Sequence, residues 1–140
     1  MSGFNDRIIA EFRDNDGRVG GPFAGAHLVL VTTTGAKSGL PRTSPVMSFR
    51  DGDTVYVVAS KAGAPTHPAW YHNLLANPKA SLEIATDSGV KRMDATAETV
   101  TGTERDRLYA QFSRSNPGFA EYQEKTDRVI PIVAFHRDES

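Results

Sequence analysis

Apolar residues recur at Phe4, Ile8 and Phe12, with Ile9 beside them. Steps of four share one helix face, so the spacing predicts a short helix over residues 4–14. Asp14-Asn15-Asp16-Gly17 ends it with turn chemistry, and Gly20-Gly21-Pro22 breaks the chain again. From His27 the pattern changes to β. Leu28 to Thr34 is apolar and β-branched and stops at Gly35, and Thr43 to Phe49 reads as a second strand. Asp51-Gly52 is a hairpin signal before a third strand, Thr54 to Ala59. Ala80, Leu82 and Ile84 alternate with Ser81 and Glu83, so one face of that strand is buried. Val90 to Val100 is a weaker strand, pairing across residues 86–89. The last runs from Val129 to Phe135; its Pro131 cannot donate a ladder bond and marks an edge, a strand start or a bulge.

Helices interrupt the strands. One is predicted over residues 67–76, with Pro68 in its first turn and Asn77-Pro78 closing it. A second covers residues 103–113, capped by Thr103, with Leu108 and Phe112 on one face. Pro117 opens a third over 117–125. Six strands without βαβ alternation point to an α+β barrel, and closure disposes of sheet edges. The strands 28–34, 43–49 and 54–59 should form a meander. Residues 1–22 read as an N-terminal helix and linker segment, and residues 23–140 as the barrel domain.

Composition narrows the class. The chain has 140 residues, enough for one domain and its own core. At 39% hydrophobic and 24% charged it is a globular composition. Cysteine is absent, which removes disulfides, thiolate metal sites and cysteine nucleophiles. Sixteen basic residues against 17 acidic ones give no basic field for a nucleic acid. No apolar run approaches the roughly 20 residues of a membrane span, and the first residues lack a signal peptide's pattern, so a cytoplasmic address is expected. The N-terminal helix has two open roles, packing on the domain or peripheral contact with a membrane. Asp6, Glu11, Asp14 and Asp16 disfavour an anionic lipid surface.

Standard catalytic patterns are missing. There is no Gly-x-Gly-x-x-Gly fingerprint and no Gly-x-Ser-x-Gly elbow. Gly35-Ala36-Lys37-Ser38-Gly39 lacks the spacing of a Walker loop. His67 and His72 are five apart, off one helix face, so no metal site is expected. Unusual residues concentrate between 32 and 73. Lys37, Ser38 and Arg42 occupy a small-residue turn that offers N–H groups and two cations to a phosphate or carboxylates; an ordinary solvated hairpin is the alternative. Residues 59–73 leave a strand, cross small residues and enter a helix at Pro68. Small residues admit a flat ring, and a helix start offers N–H donors to an anion. Trp70 is expected in the core and the adjacent Tyr71 at its boundary, because helix neighbours point about 100° apart.

These segments carry a resemblance. Thr32-Thr33-Thr34-Gly35-Ala36-Lys37-Ser38-Gly39-Leu40-Pro41-Arg42, then Val58-Ala59-Ser60-Lys61-Ala62-Gly63-Ala64 and His67-Pro68-Ala69-Trp70-Tyr71-His72-Asn73-Leu74, closely resemble the deazaflavin-dependent nitroreductase family. Asn77-Pro78 and Thr126 to Val133 resemble its later landmarks. The resemblance implies a six-stranded antiparallel split β-barrel with flanking helices that binds coenzyme F420, a deazaflavin with a phosphate and an oligoglutamate tail. It implies hydride transfer to a small organic acceptor: a quinone, an activated alkene or a nitroaromatic. Ala36, Lys37, Ser38 and Arg42 would then meet the phosphate and tail. Thr43, Ser44, Pro45, Val46 and Met47, with Val58, Ala59, Ser60 and Lys61, would line the ring. Ala69, Trp70, Tyr71, His72 and Asn73 would supply helix-start contacts. Ser60, Tyr71 and Phe119 are the implied catalytic positions, Phe119 standing near a tyrosine that faces substrate in relatives. Ala36 departs from an arginine common in relatives, and Phe119 lacks the tyrosine hydroxyl.

A cofactor that carries the hydride needs orientation and charge from the protein, which agrees with the missing nucleophile. Ser60 can bond the ring near its reactive carbon, or simply form a turn. Other candidate proton donors are Tyr71, His72 and Tyr122. Two alternatives stay open: FMN on the same barrel, held by Lys37 and Arg42, and an F420 carrier without turnover. Monomer and homodimer are both compatible with the sequence.

Overall fold

Successive residues of a strand face opposite sides, and six strands close on themselves so that one side becomes an interior. The structure is a computed structural model and describes residues 4–15, 28–51, 54–59, 67–86, 89–115, 117–126 and 128–138. Helix α1 is Phe4–Asp14 and strands β1, β2 and β3 are Leu28–Thr34, Pro41–Asp51 and Thr54–Val58. Helix α2 is Ala69–Ala76, followed by β4 at Lys79–Thr86 and β5 at Gly89–Val100. Helices α3 (Gly102–Ser115) and α4 (Gly118–Glu124) precede β6 at Ile132–Arg137. The strands form a closed antiparallel barrel in the order β1-β2-β3-β6-β5-β4. Among the described residues no helix is long and apolar enough to cross a membrane.

Register follows the pattern. Val29 pairs with Val46 and Val31 with Ser44, while Val57 pairs with Val133. Val29, Val31, Val46, Val57, Leu82, Ala95, Val133 and Phe135 fill the barrel interior. Residues between them along each strand point outward. Two helical layers cover that outer surface. Ile8, Ile9 and Phe12 of α1 pack on Leu28 and Leu30. Leu108, Tyr109, Phe112 and Phe119 pack on Val58, Ile130 and Ile132. Met47 touches both layers, so β2 runs between them.

The N-terminal helix is therefore part of the barrel's packing. Phe12 is 0% exposed, and Arg13 fixes the helix end through a two-point contact with Glu83 at 2.9 and 2.8 Å. Its side chains Ile8, Ile9 and Phe12 lie on the barrel and are not free for a lipid surface. The proposed boundary after residue 22 falls outside the described residues.

Some element limits differ from expectation. β2 is longer, starting at Pro41 and ending at Asp51. β6 begins at Ile132, after Pro131, so Pro131 marks a strand start. The carbonyls just before it are taken elsewhere: Ile130 O accepts from Arg105 and Pro131 O accepts from Ala59 N–H. Helix α3 starts at Gly102, which has φ +66°, so Thr103 lies inside the first turn and is not its cap. The chain needs a left-handed residue to turn out of β5, and glycine supplies it at least cost.

Candidate active site

An antiparallel barrel sends alternate strand ends to the same rim. The ends of β1, β3 and β5 and the starts of β2, β4 and β6 share one rim here. Hence the loop 35–40, the exit from β3, helix α2 and the approach to β6 are neighbours. Three segments far apart in sequence meet because of this topology.

The 35–40 loop is built by two glycines. Gly35 N–H donates to Leu40 O at 2.8 Å and Gly39 N–H donates to Gly35 O at 2.9 Å. Gly39 takes φ +70°, and a Cβ on Gly35 would stand 2.5 Å from Ser38 Oγ. Ser38 Oγ accepts from Leu40 N–H at 3.2 Å. Ala36, Lys37 and Ser38 are exposed at the tip, and Arg42 is exposed at the start of β2. Among the described residues neither Lys37 nor Arg42 takes part in an ion pair.

Asn73 ties this loop to α2. Its Oδ1 accepts from Ala36 N–H at 2.9 Å, and its Nδ2 donates to Thr33 Oγ1 at 3.1 Å. Asn73 is buried, so in the structure it braces the loop from below. Trp70 and Leu74 close the barrel interior at this rim.

Tyr71 departs from the expected boundary position. It is 7% exposed and belongs to the interior cluster together with Trp70. Its ring stands 4.9 Å from that of His67, which covers it from the segment before the helix. The helix is embedded on two sides, so adjacent residues can both be buried. Tyr71 Oη makes a long contact of 3.5 Å with Thr99 Oγ1. His72 is exposed, with its ring 5.7 Å from His67, and Ala69 is exposed too.

The exit from β3 is clamped at both polar atoms of Ala59. Its N–H donates to Pro131 O at 2.9 Å, and its carbonyl accepts from Arg128 Nη1 at 3.1 Å. The same Arg128 nitrogen lies 3.0 Å from His67 Nδ1. Burial first, then the Arg128 cation and His72, hold His67 below its ordinary value of 6.5. Ser60 and Lys61 lie outside the described residues.

A cavity of about 410 Å³ opens beside this clamp. His67 and Tyr71 form one wall, Thr99 to Gly102 another, and Arg105, Asp106, Val129 and Pro131 the rest. That volume lies within the usual range for small-molecule sites. Of the predicted site residues that the structure describes, only Tyr71 lines it.

The remaining positions divide by the pleat. Val46 points into the barrel interior, and the alternation sends Ser44 to the same face. Met47 points outward, as do Thr43 and Pro45 by the same alternation. Thr43 Oγ1 pairs with Thr32 Oγ1 at 2.8 Å. Side chains 43–47 therefore do not all face one ring. Val58 packs outward against α3 and α4. Phe119 is 3% exposed and sits among Phe49, Tyr109 and Tyr122 in that same cluster, not on the cavity wall. Its expected substrate-facing position is not where the structure puts its ring. Tyr122 is half-buried beside it.

Sequence reasoning did not assign His67, Thr99, Arg105 or Arg128 to the site. A cation directly before the apolar run 129–135 was the available signal for Arg128. Arg105 is buried, donates to Ile130 O, and is stacked 4.3 Å from the Tyr109 ring centre. Its position depends on contacts made 25 residues away.

The donor set can be tested against a flat, polyanionic carrier. Two exposed cations, neither in an ion pair among the described residues, suit a phosphate and carboxylates, and the cavity has adequate volume. These residues fit such a group. Comparison with known proteins agrees. Residues 6–136 match the family model described as F420H2-dependent quinone reductase. An F420H2-dependent quinone reductase of Mycobacterium tuberculosis is 40% identical over 132 residues, covering 91% of this chain and 86% of that protein. A solved F420H2-dependent reductase, FDR-A, shares 43% identity over 78% of this chain and 93% of its own, with a TM-score of 0.68. A further solved structure, described as a domain-swapped dimer, shares 39% identity over 94% and 93%, with a TM-score of 0.70. These neighbours have the split-barrel fold. The chain thus belongs to the F420H2-dependent quinone reductases, oxidoreductases that use coenzyme F420.

Proposed function

We propose that this chain reduces quinones with F420H2, using the barrel rim described above. The observation that carries the reading is convergence. The Lys37 loop, the β3 exit and helix α2 meet on one rim, beside a cavity of suitable size. Bound there, reduced coenzyme F420 supplies the hydride. Lys37 and Arg42 offset the negative charge of its phosphate and tail. Asn73 holds the loop that presents Lys37, because it ties Ala36 N–H to α2. Ala59 is itself buried, and its bonded N–H and carbonyl fix the direction in which the chain leaves β3. Trp70, Tyr71 and Leu74 keep water out of the barrel end. The resemblance adds Ser60 and Lys61, directly after Ala59, as contacts to the ring and the tail.

A quinone is the acceptor named by the family. Activated alkenes and nitroaromatics share its electron-poor π system and are proposed as a wider range. A homodimer is proposed on the strength of the dimeric neighbour and is checked by sedimentation velocity. The enzymatic reading is tested by following anaerobic oxidation of F420H2 with menadione. A rate well above the protein-free control is expected. No such rate would leave only a carrier role.

A further inference from the structure

Arg128 is a donor through every one of its N–H groups and cannot accept. Its Nη1 bears two hydrogens and has two acceptors in reach, Ala59 O at 3.1 Å and His67 Nδ1 at 3.0 Å. The second contact therefore requires a bare Nδ1 lone pair. His67 is held as the tautomer that carries its proton on Nε2. That ring lines the cavity, and among the described residues Nε2 has no hydrogen-bond partner.

We propose that His67 is a catalytic hydrogen-bond donor: fixed by Arg128, it directs Nε2–H into the cavity toward the carbonyl oxygen of the quinone. The proposal rests on the quinone-reductase reading and adds to it the group that meets the oxygen. In the reaction the quinone gains a hydride and one proton from water and becomes hydroquinone. The reduced deazaflavin loses a hydride and a proton. Negative charge gathers on the quinone oxygen before its proton arrives, and a neutral, oriented N–H stabilises that charge. Burial, Arg128 and His72 all disfavour imidazolium here, so the donor stays neutral. Tyr71, tilted by 58° against the same ring with the centres 4.9 Å apart, limits its rotation. Arg128 is a positioning residue in this scheme, because it acts through His67.

Two substitutions separate the two ring nitrogens. His67→Asn keeps an acceptor near Arg128 and removes the distal donor. His67→Gln keeps a distal donor and lacks the near acceptor. For His67→Asn, kcat/KM with menadione should fall by roughly tenfold to a hundredfold, with F420 affinity within about threefold and the thermal midpoint close to wild type. His67→Gln should recover part of the loss. An independent readout needs no turnover. Nitrogen-15 NMR of the free protein should show His67 Nδ1 bare and Nε2 protonated, and added menadione should shift the Nε2 resonance. Arg128→Met should mix the tautomers. A protonated Nδ1, or wild-type turnover by His67→Asn, overturns the proposal. If wild-type protein fails to reduce menadione, the quinone-reductase reading falls, and the menadione-induced Nε2 shift then judges His67 alone: a shift supports it as a donor and its absence rejects it.

Discussion

Lys37 and Arg42 are the residues where charge should be read first. Both are exposed and, among the described residues, neither is in an ion pair. Folding asks little of them, so replacing Lys37 by Ala should leave stability within about 0.5 kcal/mol. F420 affinity should fall by roughly tenfold at low salt, from one lost charge-assisted contact. Unchanged affinity would remove Lys37 from the site. His67 gives a second test at this scale. Its pKa lies lower in the folded protein than in the unfolded chain. The unfolded chain therefore takes the proton first as pH falls. The associated stability is complete above the ordinary value of 6.5 and is lost as pH drops through the lower, folded value. Arg128, His72 and Tyr71 surround the ring, and Arg105 and Asp106 share its cavity, so the comparison must isolate His67. Urea unfolding from about pH 7.5 to about pH 5 should show wild type losing stability relative to His67→Asn. Parallel curves would contradict the assignment.

At the scale of elements, α2 and α1 do different jobs. Helix α2 braces the cation loop through Asn73. Asn73→Ala strands the Ala36 N–H and the Thr33 hydroxyl, at a cost of about 1–3 kcal/mol, and should also weaken F420 binding, because the loop loses its anchor. Stability loss with unchanged affinity would confine Asn73 to packing. Helix α1 covers part of the outer surface, where Phe12 is fully buried against the barrel. Phe12→Ala should lower unfolding stability by about 3–5 kcal/mol, read from urea midpoints. Much of this level was legible in the sequence. The steps of four in α1, the β-branched run of β1 and the alternation of β4 each found their element. Pro68 and Pro117 marked helix starts, where the structure makes them N-caps. Other features depend on partners distant in sequence. Tyr71 is buried because it joins the barrel's interior cluster, with His67 beside its ring, which no helical wheel shows. Thr103 lost its capping role to the turn at Gly102. Phe119 is drawn into the α3–α4 packing, beside Phe49 and Tyr122, through tertiary contacts.

For the whole molecule, closure of the barrel organises the chemistry. Each strand reverses direction relative to its neighbours, so segments separated by dozens of residues reach one rim. The motifs were legible one at a time; their meeting is a consequence of register and closure. Arg128 belongs to this level too, because its hydrogen bonds span 69 residues to Ala59 and 61 to His67. The most direct measurement is a fluorescence titration of F420, alongside FMN, against wild type and a Lys37→Ala/Arg42→Ala double variant. Saturable F420 binding is expected, with much weaker FMN binding and a loss of F420 affinity of at least about tenfold in the double variant. Tighter binding of FMN than of F420, or a double variant that binds F420 as wild type does, would contradict this expectation.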